Sequence, residues 1–150
     1  MSTIHAILHP TDLSTSSQHA FEIACSLARD QDARVIVLHV LERPVIIQSD
    51  VMTPPPPPPP VAERKAAREE LARLRPTDPM VRLEHRLEEG DPATGILEVA
   101  EEAGCDLIVM GTHGRTGLTR LLAGSVAEKV MRQAPCPVMT VRAPIPSTRT

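Results

Sequence analysis

Apolar residues in this chain fall in short unbroken runs separated by longer stretches of helical period. Residues 4–9 (IHAILH), 34–40 (RVIVLHV) and 106–110 (DLIVM) are such runs, and 137–142 (PVMTVR) is a weaker fourth. Continuous runs, rather than strict alternation, suit parallel strands covered on both faces. Residues 81–87 (VRLEHRL) alternate instead, with Val81, Leu83, His85 and Leu87 on one face and Arg82, Glu84 and Arg86 on the other. That pattern predicts a strand with one wetter face, near a sheet edge.

Helical stretches lie between these runs. Residues 16–30 place Phe21, Ala24, Cys25 and Ala28 on one stripe, with Ser14 as the expected N-cap. Residues 61–75 are rich in Ala, Glu, Arg and Leu, all good helix formers. Residues 91–104 carry their own punctuation: Asp91 as N-cap, Pro92 in the first turn and Gly104 as the stop. Ser125 to Ala134 forms the last helix, ended by Pro135. The order β-α-β-α-β-α-β-α-β predicts an α/β fold with a doubly wound parallel sheet. One interruption is Pro54 to Pro60, seven prolines in a row. Lacking amide hydrogens and fixed in φ, they predict polyproline II, roughly 22 Å long at ~3.1 Å per residue. A stiff surface spacer within a loop at about 41–60 is the expected role, ahead of a docking site for a proline-binding module.

The length of 150 residues fits a single domain, residues 1–150, and 41% hydrophobic residues suffice for its core. A net charge of −3 argues against broad phosphate neutralisation, and one Phe with no Tyr or Trp leaves no stacking platform for bases. Nucleic acid is therefore not an expected partner. No run reaches the ~18 apolar residues of a membrane span, and the start does not read as a signal peptide. Cys25, Cys105 and Cys136 form no CxxC pair, so buried free thiols in a reducing, cytoplasmic setting are expected.

The stretch 109–130, VMGTHGRTGLTRLLAGSVAEKV, carries the most chemistry. It leaves a strand end, passes Gly111, Gly114 and Gly117, and reaches Gly124-Ser125 at a helix start. Glycines let backbone amides approach a ligand, and a helix N-terminus offers free N–H groups. These are the parts of a phosphate cradle, with Arg115 and Arg120 as nearby charge, although turn geometry alone would also use such glycines. The spacing is neither GxxxxGK[ST] nor GxGxxG, which disfavours a P-loop NTPase and an ordinary dinucleotide fold. His9-Pro10-Thr11-Asp12 occupies the end of the first strand, where open parallel sheets bind ligands. Asp12, acceptor-only when ionised, suits a purine amine or ribose hydroxyl; capping of the Ser14 turn is its local alternative. Val40 ends the second strand and offers main-chain groups to a base edge.

These residues carry a resemblance. HPTDLSTSS after the first strand, VLHV at the second, and residues 90–142 together make the chain resemble the universal stress protein family of UspA type. Gly111-x2-Gly114-x9-Gly124-Ser125 resembles the pattern of its ATP-binding branch. The resemblance implies an open five-stranded parallel sheet with helices on both faces, Rossmann-like and adenine nucleotide alpha-hydrolase-like. It implies a cytoplasmic stress-response protein that binds ATP, with or without Mg²⁺, as a homodimer paired through the last strand, Val138 to Val141. By that likeness Asp12 and Val40 would hold adenine and ribose, and Pro10, Thr11 and Met110 belong to the same nucleotide-binding site. Gly111, Gly114, Gly124, Ser125 and Val126 would line the phosphates, with Arg115 nearby.

His9, His39 and His113 each fall at or just past a strand end, but without local ligand spacing they do not predict a zinc site. No Ser sits in a GxSxG elbow, so a nucleophilic triad is not expected. Three functions stay open at this point. A nucleotide-binding regulatory module leads; a slow ATPase or phosphotransferase, with His113 as its one candidate base, and a purely protein-interacting stress factor follow.

Overall fold

The apolar runs become the central strands. In a computed structural model that describes residues 3–43, 60–112 and 124–142, the chain forms β1 (Ala6–Pro10), α1 (Thr15–Gln31), β2 (Arg34–Glu42) and α2 (Val61–Ala72). It continues through β3 (Arg82–Gly90), α3 (Pro92–Glu102), β4 (Leu107–Gly111), α4 (Gly124–Gln133) and β5 (Val138–Val141). All strand pairs are parallel and their order is β3-β2-β1-β4-β5. The expected element order and fold class are therefore observed.

Side-chain alternation divides the core in two. Ile7, Val35, Val37, Leu107 and Val109 pack with Phe21, Ala24 and Ala28 of α1 and Leu71 of α2. Leu8, Ile36, Leu38, Val40, Ile108 and Met110 pack with Ile96, Val99 and Ala100 of α3 and Ala127 and Val130 of α4. Such two-sided burial is why these strands show no alternation in the sequence. β3, an edge strand, is the exception: Leu83 and Leu87 pack on the α1–α2 side. Arg34 to Glu84 (3.3 Å) and Arg86 to Glu102 (3.0 Å) form ion pairs around its polar face.

Local signals set most helix ends. The Asp91 carboxylate accepts from Thr94 N (3.0 Å), and Pro92 follows in the first turn. Gly104, at φ +62°, closes α3 with Cys105 N donating to Ala100 O (3.0 Å). Asp32 performs the same reversal for α1 at φ +53°, with Ala33 N donating to Ala28 O (2.8 Å). α2 stops at Ala72 rather than 75; Pro76 disfavours helical geometry in the residue before it. Residues 41 and 42, expected in the proline-rich loop, extend β2 instead. Residues 54–59 of the proline run lie outside the described residues, whereas Pro60 is the N-cap of α2.

Candidate functional site

The connection leaving β1 leads to β2 on one side, and the connection leaving β4 leads to β5 on the other. This reversal opens a crevice at the carboxyl ends of β1 and β4, the usual ligand position in such sheets. Here the parting has a local cause. β1 pairs with β4 only at Ile7–Leu107 and Leu8–Ile108. In a continued parallel ladder the N–H of residue 10 would bond the carbonyl of Val109, but residue 10 is proline and has no N–H. The His9 imidazole takes that place, its Nδ1–H donating to Val109 O at 2.9 Å.

β2 runs past the end of β1. Thr11 N donates to Leu38 O (2.8 Å), so Leu38 turns its main-chain groups toward β1. By strand alternation Val40, two residues on, turns its N–H and C=O to the same side, where β1 has already ended. The Thr11 carbonyl that could have met them accepts instead from His39 Nδ1 (2.8 Å). Val40 therefore presents a donor and an acceptor toward the opening.

The β1–α1 turn is held by its own side chains. Asp12 Oδ1 accepts from Ser14 N (3.0 Å) and from the Ser14 hydroxyl. The Ser14 hydroxyl is thereby not the helix cap that the sequence led us to expect. Ser14 sits at the N-cap in extended geometry, but no side-chain cap bond forms. Thr11 Oγ1 accepts from Leu13 N (3.0 Å) and pairs with Ser17 Oγ (2.9 Å), so this hydroxyl is spent inside the turn. Leu13 adopts φ +65°, a left-handed conformation that side-chain-bearing residues rarely take. Among the described residues Asp12 Oδ2 accepts no hydrogen bond and is the available acceptor of this turn.

On the other side of the crevice, Met110 is buried in the α3–α4 core and Gly111 ends β4. A Cβ on Gly111 would lie 3.9 Å from Ser17 Cα and Val141 O, an ordinary contact, so the described fold does not itself demand glycine there. Gly124 and Ser125 open α4, and half-buried Val126 packs against the cluster holding Val40 and Met110. Gly114 and Arg115 lie outside the described residues, as does His113. Thr112 was not anticipated from the sequence. Its N–H donates to Val141 O (3.1 Å) while its hydroxyl, one residue past β4, is buried without a partner among the described residues. Among the described residues His9 Nε2 is likewise buried without a partner. Burial pushes this imidazole down to about 4 from its ordinary 6.5, against the smaller upward pulls of the Val109 bond and the Asp12 charge. Among the described residues no three His, Cys, Asp or Glu side chains cluster as a metal site, and no helix is long and apolar enough to cross a membrane.

The model of the universal stress protein family matches residues 3–142. The chain belongs to the universal stress protein family. A universal stress protein of Methanocaldococcus jannaschii is 36% identical over 143 residues, spanning 92% of this chain and 82% of that relative. Among solved structures, a universal stress protein in complex with cAMP is 25% identical, with a TM-score of 0.65 over 95% of this chain and 100% of that one. The universal stress protein of Archaeoglobus fulgidus in complex with dAMP shares the fold, with a TM-score of 0.62 at 20% identity over 93% of this chain and 98% of that one. In this universal stress protein the β1–α1 turn, the end of β2 and the end of β4 lie at the carboxyl edge of the sheet.

Proposed function

We propose that this universal stress protein is an adenine-nucleotide-binding regulatory module whose ligand is ATP, with or without Mg²⁺. What carries the reading is the Thr11 N to Leu38 O bond at the end of β1, from which strand alternation would turn the main-chain donor and acceptor of Val40 toward the opening beyond β1. Adenine offers an amine donor beside a ring-nitrogen acceptor, and an adjacent N–H and C=O match that pair. Asp12 Oδ2 suits a ribose hydroxyl and disfavours an anion, which assigns the phosphates to the opposite wall. There Gly111, Gly114, Gly124, Ser125 and Val126 would line them, with Arg115 as charge and the α4 N-terminus contributing the positive end of its helix dipole. The neighbours solved with cAMP and dAMP support an adenine nucleotide as the ligand class. β5 lies at the sheet edge with Met139 38% exposed, which supports pairing of Val138 to Val141 with a second copy. A cytoplasmic setting accords with the three free thiols.

The test uses the absence of Trp and Tyr. Freshly gel-filtered protein absorbs little at 260–280 nm unless it carries nucleotide. An absorbance band near 260 nm, with ATP released on denaturation and identified by mass, supports the reading. A flat spectrum, together with a melting temperature unmoved by added ATP, overturns it in favour of a protein-interaction factor.

A further inference from the structure

In a parallel ladder each bonded residue sends its N–H to the residue before its partner and accepts at its C=O from the residue after. β1 keeps to that order through its end. Pro10 stands beside Leu38, and Thr11, one residue on, still donates its N–H to Leu38 O at 2.8 Å. The same order would give the Thr11 carbonyl to the N–H of Val40. A side chain takes it instead: His39, the residue between Leu38 and Val40, has its Nδ1 2.8 Å from Thr11 O. A carbonyl oxygen only accepts, so the proton of this bond sits on Nδ1. His39 and Thr11 are both buried, and the bond is made away from bulk water. Its surroundings are tied down as well. Thr11 Oγ1 is held by Leu13 N and Ser17 Oγ, and the Val40 side chain lies against bare α3 backbone, where a Cβ on Gly95 would come within 3.0 Å of Val40 Cγ2.

We propose that His39 is a positioning residue: by occupying the Thr11 carbonyl it keeps the Val40 N–H open for a ligand at the carboxyl edge of the sheet. That the ligand is the base edge of an adenine nucleotide rests on the reading above; the competition for the Thr11 carbonyl does not.

Removing the imidazole leaves Thr11 O buried without a donor, a costly state for a carbonyl. The N–H that strand order assigns to it is that of Val40. The β1–β2 ladder then lengthens by one bond, and a ligand must break that bond before it can use the donor. A merely structural role for His39 predicts the reverse at Val40, since a loosened fold exposes amides rather than pairing them.

The experiment follows amide hydrogen exchange residue by residue by NMR in the whole protein freed of nucleotide, and ATP affinity by calorimetry. In the wild type the Val40 N–H should exchange at least about tenfold faster than that of Leu38, two residues back within the ladder. His39→Leu cannot donate; it should slow Val40 exchange about tenfold and weaken ATP binding about five- to tenfold. His39→Asn carries an N–H near the place of Nδ1 and should restore both. A Val40 amide as protected as Leu38 in the wild type would overturn the proposal, whether or not His39→Leu folds. So would faster exchange at Val40 in His39→Leu, or a loss of ATP affinity that His39→Asn shares in full. A wild type that binds no ATP, beside a Val40 amide still slowed in His39→Leu, would overturn the nucleotide reading and leave the role of His39 supported.

Discussion

The His9 imidazole is fully buried between β1 and α1, with its ring centroid 5.7 Å from that of Phe21. Its Nδ1–H holds Val109 O and its Nε2 has no partner among the described residues, so a second proton would place an unpaired charge in the core. Folding pushes this group down to about 4 from 6.5. Above pH 6.5 it is neutral in both states and stability does not depend on it. As the pH falls below 6.5 the unfolded chain binds the proton first, so stability is lost progressively until about pH 4. The full loss is about 3 kcal/mol, of which about 2 kcal/mol appears between pH 7 and 5. That is a large share of the ~5–15 kcal/mol of a typical domain.

The matching perturbation is His9→Asn, whose side-chain amide can still donate to Val109 O but does not titrate. Urea unfolding followed by circular dichroism at pH 7, 6 and 5 compares the two proteins. Carboxylates whose pKa values folding also lowers, Asp91 and Asp106, are common to both and cancel in the difference. The variant should start about 1–3 kcal/mol less stable at pH 7, from the smaller side chain. It should then lose about 2 kcal/mol less than the wild type on acidification to pH 5. Equal losses in the two proteins would refute the claim that an unpartnered, buried imidazole governs this range.

Asp32→Gly should stabilise the domain by about 0.5–1 kcal/mol, since it removes a side chain from φ +53° at the end of α1; thermal melting reads this as a rise of about 2–4 °C per kcal/mol. Its ion pair with Arg82, at 3.8 Å and fully in solvent, offers little to lose. Asp91→Ala removes the cap on Thr94 N and should cost about 1 kcal/mol by urea titration at pH 7. The Thr94 bonds lower the Asp91 pKa, so this difference should shrink as the pH falls through 3.8 and below. Asp12→Asn keeps an oxygen for Ser14 N while removing the charge. It should leave the melting temperature nearly unchanged and weaken ATP binding about tenfold by calorimetry; unaltered affinity would remove Asp12 from the nucleotide site.

The element order, the caps of α3 and the two-sided burial of the central strands were legible in the sequence, because each rests on residues a few positions apart. Asp91, Pro92 and Gly104 mark one helix through local hydrogen bonds and backbone preferences alone. Unbroken runs such as 34–40 announce a strand buried on both faces, whatever its neighbours are. Of the candidate site the sequence indicated a region: Asp12 follows β1 and Gly111 ends β4 at the edge where parallel sheets bind ligands, whereas Val40, read as the end of the second strand, lies two residues inside β2.

What tertiary structure decided were the relations between distant segments. The Ser14 hydroxyl had two local partners on offer, and only the folded turn shows it on Asp12 rather than on the helix amides. Pro10 removes a donor in any context. That the orphaned carbonyl is Val109 O, and that His9 satisfies it, follows from the pairing of β1 with a strand 100 residues away. Helix and turn signals act through neighbours in the chain; strand order and register are chosen by the burial of whole faces, which no single segment encodes.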